Sequence, residues 1–296
     1  MKKLFFKMIK FSGLPFLVRE LVQRNKVTIL LFHDINKEVA ENTFLYLKKN
    51  YNIISLNEFI KYHQQKNKTK LPKKALIITF DDGHIGNYKL LSILVKHNVL
   101  VTIFLCTSII NTNRHFWFRY KNQSIGTKNL KCKSNIEKLK TLTKVGFEQE
   151  KEFEKPQALQ IDHINKMKQH VDFQSHTMFH PILPKCDSKE ATKEIFNSKH
   201  MLEKEYGISV NAIAYPNGDY SDRDINLVKK AGYKCGITVD HGFNNLETDL
   251  FRLKRLSVND TNDLNELIVK STGIWSFFKT LNGSFQSYGY SNNVIK

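Results

Sequence analysis

The stretch ALIITFDDGH, residues 75–84, runs six strand-forming residues straight into two adjacent carboxylates and a glycine. On an extended segment adjacent side chains point to opposite faces, so Asp81 and Asp82 need not share an environment or a task. A turn that closes a strand draws on the same residue types. The pair is therefore a site candidate whose meaning depends on what the rest of the chain brings to the same place.

Working outward, similar runs recur: VTILLF from Val27, VLVTIFL from Val99, VDFQS from Val171, NAIAYP from Asn211, CGITV from Cys235 and RLSV from Arg255. Helical patterns separate most of them, over residues 56–65, 88–97, 161–169, 187–206 and 221–231, the last opening on Ser221 as N-cap. Strand and helix alternating in this way predict parallel βαβ units, an α/β fold. Residues 111–155 break the rhythm, being Lys-rich and polar around Phe116, Trp117 and Phe118, and are expected to form an insertion over one face. No internal repeat and no Pro- or Gly-rich linker divides the chain, so residues 27–296 are expected to form one domain after a helical segment at residues 1–26.

The 296 residues, 41% hydrophobic and 25% charged, suit a globular protein with a large core. A net charge of +18 invites a nucleic-acid or anionic-membrane partner. Only seven of the 46 basic residues are arginine, however, and no nucleic-acid motif is present, so a solvated lysine surface without a specific nucleic-acid partner is expected. The cysteines, Cys106, Cys132, Cys186 and Cys235, form no CxxC pair, which fits a reducing compartment. The amino terminus starts basic, but Lys7 and Lys10 interrupt its apolar run and no cleavage site follows. A cytoplasmic protein is the expectation, peripheral to the inner membrane at most. Leu4, Met8 and Phe11 share one helical face, expected to pack on the domain; attachment to anionic lipid is the alternative.

The polar residues of interest fall at the carboxyl ends of the strand runs: His33, Asp81 with Asp82, His176 and Asn217. In parallel α/β folds that edge collects ligands and catalytic groups. In SHTMFHP, residues 175–181, His176 and His180 are four apart, and on a helical turn two such imidazoles reach adjacent corners of one metal ion. Two histidines and a carboxylate make a common open catalytic set. An HExxH protease is excluded because position 177 is Thr.

Together TFDDG at residues 79–83, SHTMFHP at 175–181 and AYPNGDYS at 214–221 resemble, in order and spacing, the polysaccharide deacetylases of carbohydrate esterase family four, over residues 27–258. The resemblance implies a distorted seven-stranded (β/α) barrel that removes acetyl groups from N-acetylated sugars. It implies Asp82, His176 and His180 as ligands of a divalent metal ion, zinc by first expectation, and Asp81 as general base. LLFHDIN, residues 30–36, resembles the YHxI stretch of the poly-N-acetylglucosamine deacetylase branch, which implies His33 as general acid; imidazole is the side chain that changes charge near neutral pH. A backbone N–H near Asn217 is expected to face the oxyanion.

The chain also departs from the family. Where many members carry RxPYG, Ala214 replaces the Arg and Asn217 the Tyr. Arg255, in RLKRLSV, resembles a basic position of a later motif and would return the cation to Asp81, unless it pairs with another carboxylate. His84 is a bystander or part of the rim, and Asp34 and His241 are unassigned edge residues. The expected activity is deacetylation of an N-acetylhexosamine unit in a glycan or glycan precursor; a non-catalytic metal- and glycan-binding relative is the alternative.

Overall fold

The computed structural model describes residues 2–65, 70–120, 126–258, 260–281 and 289–290. Seven parallel strands close into a ring: β1 (Val27–Phe32), β2 (Ala75–Phe80), β3 (Val101–Leu105), β4 (Val171–Ser175), β5 (Ala212–Ala214), β6 (Cys235–His241) and β7 (Leu253–Ser257). Each pairs with the next, and β7 returns to β1 through Leu30↔Leu256 and Leu31↔Ser257. The expected seven-stranded (β/α) barrel is therefore present.

The ring is uneven. β1 and β2 are in register over their full length, from Val27↔Ala75 to Phe32↔Phe80. β2 meets β3 only at Thr79↔Thr102 and Phe80↔Ile103. A two-residue strand, Asn52–Ile53, pairs with the start of β2 instead. A register shift between Ile237 and His241 bends β6 further.

Alternation along the strands divides the core. Val27, Ile29, Ala75, Ile77, Phe104, Ala212, Ala214, Cys235, Ile237 and Leu253 fill the barrel, with Leu56, Phe59 and Ile60 packed against them. The neighbours of opposite parity, such as Leu30, Phe32, Leu76, Ile78, Ile103 and Phe173, face the surrounding helices. Both faces are buried, which is why β1, β2 and β3 read as unbroken apolar runs.

The helices start where capping chemistry places them. Ser55 with Glu58 and Ser221 with Asp224 form capping boxes, and the Asp187 side chain accepts the Glu190 N–H. The helix expected over residues 88–97 is split: a 3₁₀ turn, Ile85–Leu90, precedes the α-helix Leu91–His97. At the amino terminus the helix Lys2–Phe11 packs through Phe6, while Leu4, Met8 and Phe11 lie outward. This corrects the face expected to pack: Phe6 fits between Val269 and Ile274, and burying it turns the Leu4–Met8–Phe11 stripe away. Among the described residues no helix is long and apolar enough to cross a membrane.

Candidate active site

A cleft of about 460 Å³ opens at the carboxyl ends of the strands, lined by His33, Asp81, Asp82, His84, His176, His180 and Asn217 among others. Parity puts Asp81 there. Ala75, Ile77 and Thr79 point into the barrel, and Asp81 continues that set, as Arg255 continues Leu253 on β7. The two meet in a bidentate pair, Nη1–Oδ1 at 2.7 Å and Nη2–Oδ2 at 2.8 Å. Arg255 is fully buried and also donates Nε–H to the Thr238 carbonyl at 2.7 Å. Burial pushes the Asp81 carboxyl up, but the Arg255 and His176 charges and the Arg255 hydrogen bonds outweigh it and hold the pKa below the ordinary value.

Asp82 has the outward parity, and the backbone redirects it. Its φ of +73° lies in the left-handed region, where an aspartate costs conformational energy that the surroundings must offset. Gly83 follows at φ +69°; a Cβ there would come within 2.5 Å of Leu105 Cδ2. Asp82 Oδ2 lies 3.0 Å from His84 Nε2, whereas the buried Oδ1 has no hydrogen-bond partner. Oδ1 instead lies 3.5 Å from His176 Nε2 and 3.4 Å from His180 Nε2.

The two histidines do not share a helical turn, contrary to expectation. Residues 176–180 form a loop in which Thr177 and His180 take φ of +66° and +57°. Pro181 follows directly, and a residue before proline is disfavoured in the α-helical region. The loop is pinned by its backbone: Met178 and Phe179 donate their N–H groups to Glu194 Oε2 at 2.7 and 3.0 Å, and Trp117 Nε1–H donates to the His180 carbonyl at 2.8 Å.

Asp82, His176 and His180 place three donor atoms within 4.8 Å of one another. His176 Nδ1 bonds the Ala214 carbonyl at 2.8 Å and so carries a ring proton, which turns Nε2 toward the orphaned Oδ1. At 3.5 Å the two atoms leave room for a cation to bridge them. Donors about 2.1 Å from a tetrahedral ion stand roughly 3.4 Å apart, so the spacing fits a divalent metal. Burial, opposed by Asp82, pushes His180 down to about 3, keeping its imidazole neutral as ligation requires.

His33 is half-buried at the cleft wall; its N–H donates to Asp260 Oδ1 at 3.0 Å and its carbonyl accepts from Asn87 Nδ2 at 2.7 Å. Asn217 takes φ +59° in the turn Pro216–Gly218. Its side chain accepts from Lys131 and donates to Asp219 Oδ2 at 2.6 Å. Asp34 and His241 do not line the cleft.

A sequence profile of the polysaccharide deacetylase family matches residues 68–236. This chain belongs to that family. It is 27% identical over 283 residues to the poly-β-1,6-N-acetyl-D-glucosamine N-deacetylase of Staphylococcus epidermidis, covering 84% of this chain and 83% of that protein. Two solved structures share the fold. The Streptococcus pyogenes deacetylase PplD, in complex with acetate, has a TM-score of 0.61 at 22% identity, covering 84% of this chain and 99% of that one. IcaB from Ammonifex degensii has a TM-score of 0.62 at 15% identity, covering 84% and 98%.

Within this polysaccharide deacetylase barrel, Arg255 pairs with Asp81, and among the described residues no other carboxylate forms an ion pair with it. The insertion contributes Trp117, Phe118, Arg119, Thr127 and Lys131 to the cleft wall. Sequence reasoning missed Glu194 and Arg119. Glu194 was detectable: it sits in the buried stripe of the helix Ser188–Lys204 with Ala191, Ile195, Ser198 and Leu202, a carboxylate on an apolar face. Arg119 was not, because nothing local ties it to a residue so distant in sequence.

Proposed function

We propose that the chain hydrolyses the N-acetyl group of an N-acetylhexosamine unit in a glycan or glycan precursor. The observation that carries this is the buried Asp82–His176–His180 set beside an Arg255-locked Asp81 at the open end of the barrel. Asp82, His176 and His180 hold a divalent ion, with zinc suiting two imidazoles and one carboxylate. When bound, such an ion polarises the acetyl carbonyl and lowers the pKa of water.

Asp81 is the general base. Arg255 keeps it ionised and fixes its plane, so its contribution is position more than basicity. His33, on the wall of the same cleft, donates the proton that the departing amine needs. The turn at Asn217 supplies polar backbone where negative charge develops on the acetyl oxygen. The S. epidermidis relative, named for its action on poly-N-acetylglucosamine, supports an N-acetylglucosamine-containing glycan as the first substrate to assay.

The test measures metal content and acetate release from N-acetylglucosamine and N-acetylgalactosamine oligomers for wild type and Asp81→Asn. Metal in both proteins, with acetate release falling about 10²- to 10⁴-fold in the variant, is the expected result. Metal without acetate on any substrate would turn the reading to a metal- and glycan-binding relative; no metal after reconstitution would overturn the site.

A further inference from the structure

The amino- and carboxy-terminal helices expose an apolar surface that the catalytic site does not use. On the helix Lys2–Phe11, Leu4, Met8 and Phe11 are 62%, 66% and 69% exposed and share one stripe. The next segment adds Phe16, Leu17 and Leu21, the last 71% exposed, and Phe277 on the helix Ile274–Leu281 is 62% exposed. An apolar groove of about 330 Å³ lies between them, with Leu14, Val18, Val22, Ile274, Phe277 and Phe278 on its walls. The two helices meet through Phe5 and Phe6 against Trp275. Exposed apolar side chains gathered on neighbouring terminal segments in this number mark an interaction site.

Charge selects the partner. Lys3 and Lys7 are exposed one position before Leu4 and Met8, and Lys10 lies over the Phe11 ring at 4.5 Å. A two-fold contact with a second copy would set these lysines against themselves. We infer that this face docks the protein on an anionic lipid bilayer, with Leu4, Met8, Phe11 and Phe277 in the interfacial layer and the lysines at the headgroups.

Co-sedimentation of the full chain with phosphatidylcholine vesicles, with and without phosphatidylglycerol, tests this. Binding is expected only with phosphatidylglycerol, weakening with salt, lost in Met8→Asp/Phe11→Asp and about 30-fold weaker at low salt in Lys3→Gln/Lys7→Gln. These exposed positions leave the thermal melt and catalysis unchanged. No sedimentation, equal binding to both vesicles, or a dimer that Met8→Asp/Phe11→Asp dissociates while vesicles go unbound would each overturn the assignment.

A different observation carries a second inference, which rests on the proposed metal set. The Arg119 guanidinium lies 3.0 Å from His84 Nδ1, and a guanidinium only donates. His84 Nδ1 is thus the acceptor, the ring proton sits on Nε2, and it is donated to Asp82 Oδ2 at 3.0 Å. Oδ2 is thereby occupied, and Oδ1 is the oxygen left facing both histidines. The geometry assigns Arg119 and His84 as positioning residues that select the metal-facing oxygen of Asp82.

Chelator competition reads this without turnover. His84→Phe, which keeps a ring against Phe116, is expected to bind metal about 10- to 100-fold more weakly, with Arg119→Gln weakened as well and Arg119→Lys partly restored. Equal affinity in wild type and His84→Phe would overturn the assignment while leaving the site in place. A wild type that binds no metal would instead remove the site itself.

Discussion

Asp81 and Asp82 are neighbours in sequence but belong to regions of different construction. The hydrogen bonds around Asp81 come from strands: Arg255 from β7, Thr79 from β2 and the Thr238 carbonyl from β6 close a network in which both carboxylate oxygens are bonded. Around Asp82 everything is loop and insertion: His84, Arg119, the 176–180 loop, and the Glu194 and Trp117 contacts that hold that loop. The strand side carries no left-handed backbone among these residues, whereas Asp82, Thr177 and His180 all do. The loop side also leaves Asp82 Oδ1 and His180 Nδ1 buried without partners. A saturated network resists change, whereas an unsaturated one with strained backbone marks a candidate ligand site.

The sharpest way to break this contrast is Asp82→Asn. Metal stoichiometry is expected to fall below detection, with little change in the thermal melt of the metal-free protein; retained metal would place the ion elsewhere. Arg255→Met attacks the other side. It strands a buried carboxylate and is expected to cost about 3–5 kcal/mol in chemical denaturation, far more than any loop-side change in metal-free protein.

Glu194 sharpens the comparison through pH. Burial pushes its carboxyl from 4.5 up to about 7 despite the two backbone donors. A carboxyl raised in the folded state contributes stability that is complete below the unfolded pKa and lost as pH rises through the folded one. Wild type should therefore lose about 3 kcal/mol relative to Glu194→Gln between pH 4.5 and 7, read from denaturation curves at each pH. A parallel pH profile in the two proteins would show that burial does not raise this carboxyl. The smallest effect is expected at the insertion: Lys131→Met removes one hydrogen bond to Asn217 and should raise KM roughly 2- to 10-fold with kcat nearly unchanged.

The strands and the carboxyl-end location of the site were legible because both follow from local pattern. A six-residue β-branched apolar run that ends in a turn signal suits a buried strand, and Ser221 caps a helix through its own neighbours. The spacing of His176 and His180 also singled out two residues that do converge, but through a loop with left-handed backbone and not by helical pitch. Arg255 had two open destinations in sequence, and only ring closure, which puts β7 beside β1 and so near the end of β2, set it on Asp81.

By itself, then, the sequence determined the residue types, their order at the strand ends and the family they mark. The tertiary structure decided which oxygen of Asp82 is left open, that Arg119 reaches His84 from the insertion, that Glu194 holds the histidine loop, and that Leu4, Met8 and Phe11 face outward. The division has one physical cause. Capping and alternation act between residues a few positions apart, whereas the Glu194 and Arg119 contacts join residues 16 and 35 positions apart in the chain and exist only once the barrel has closed.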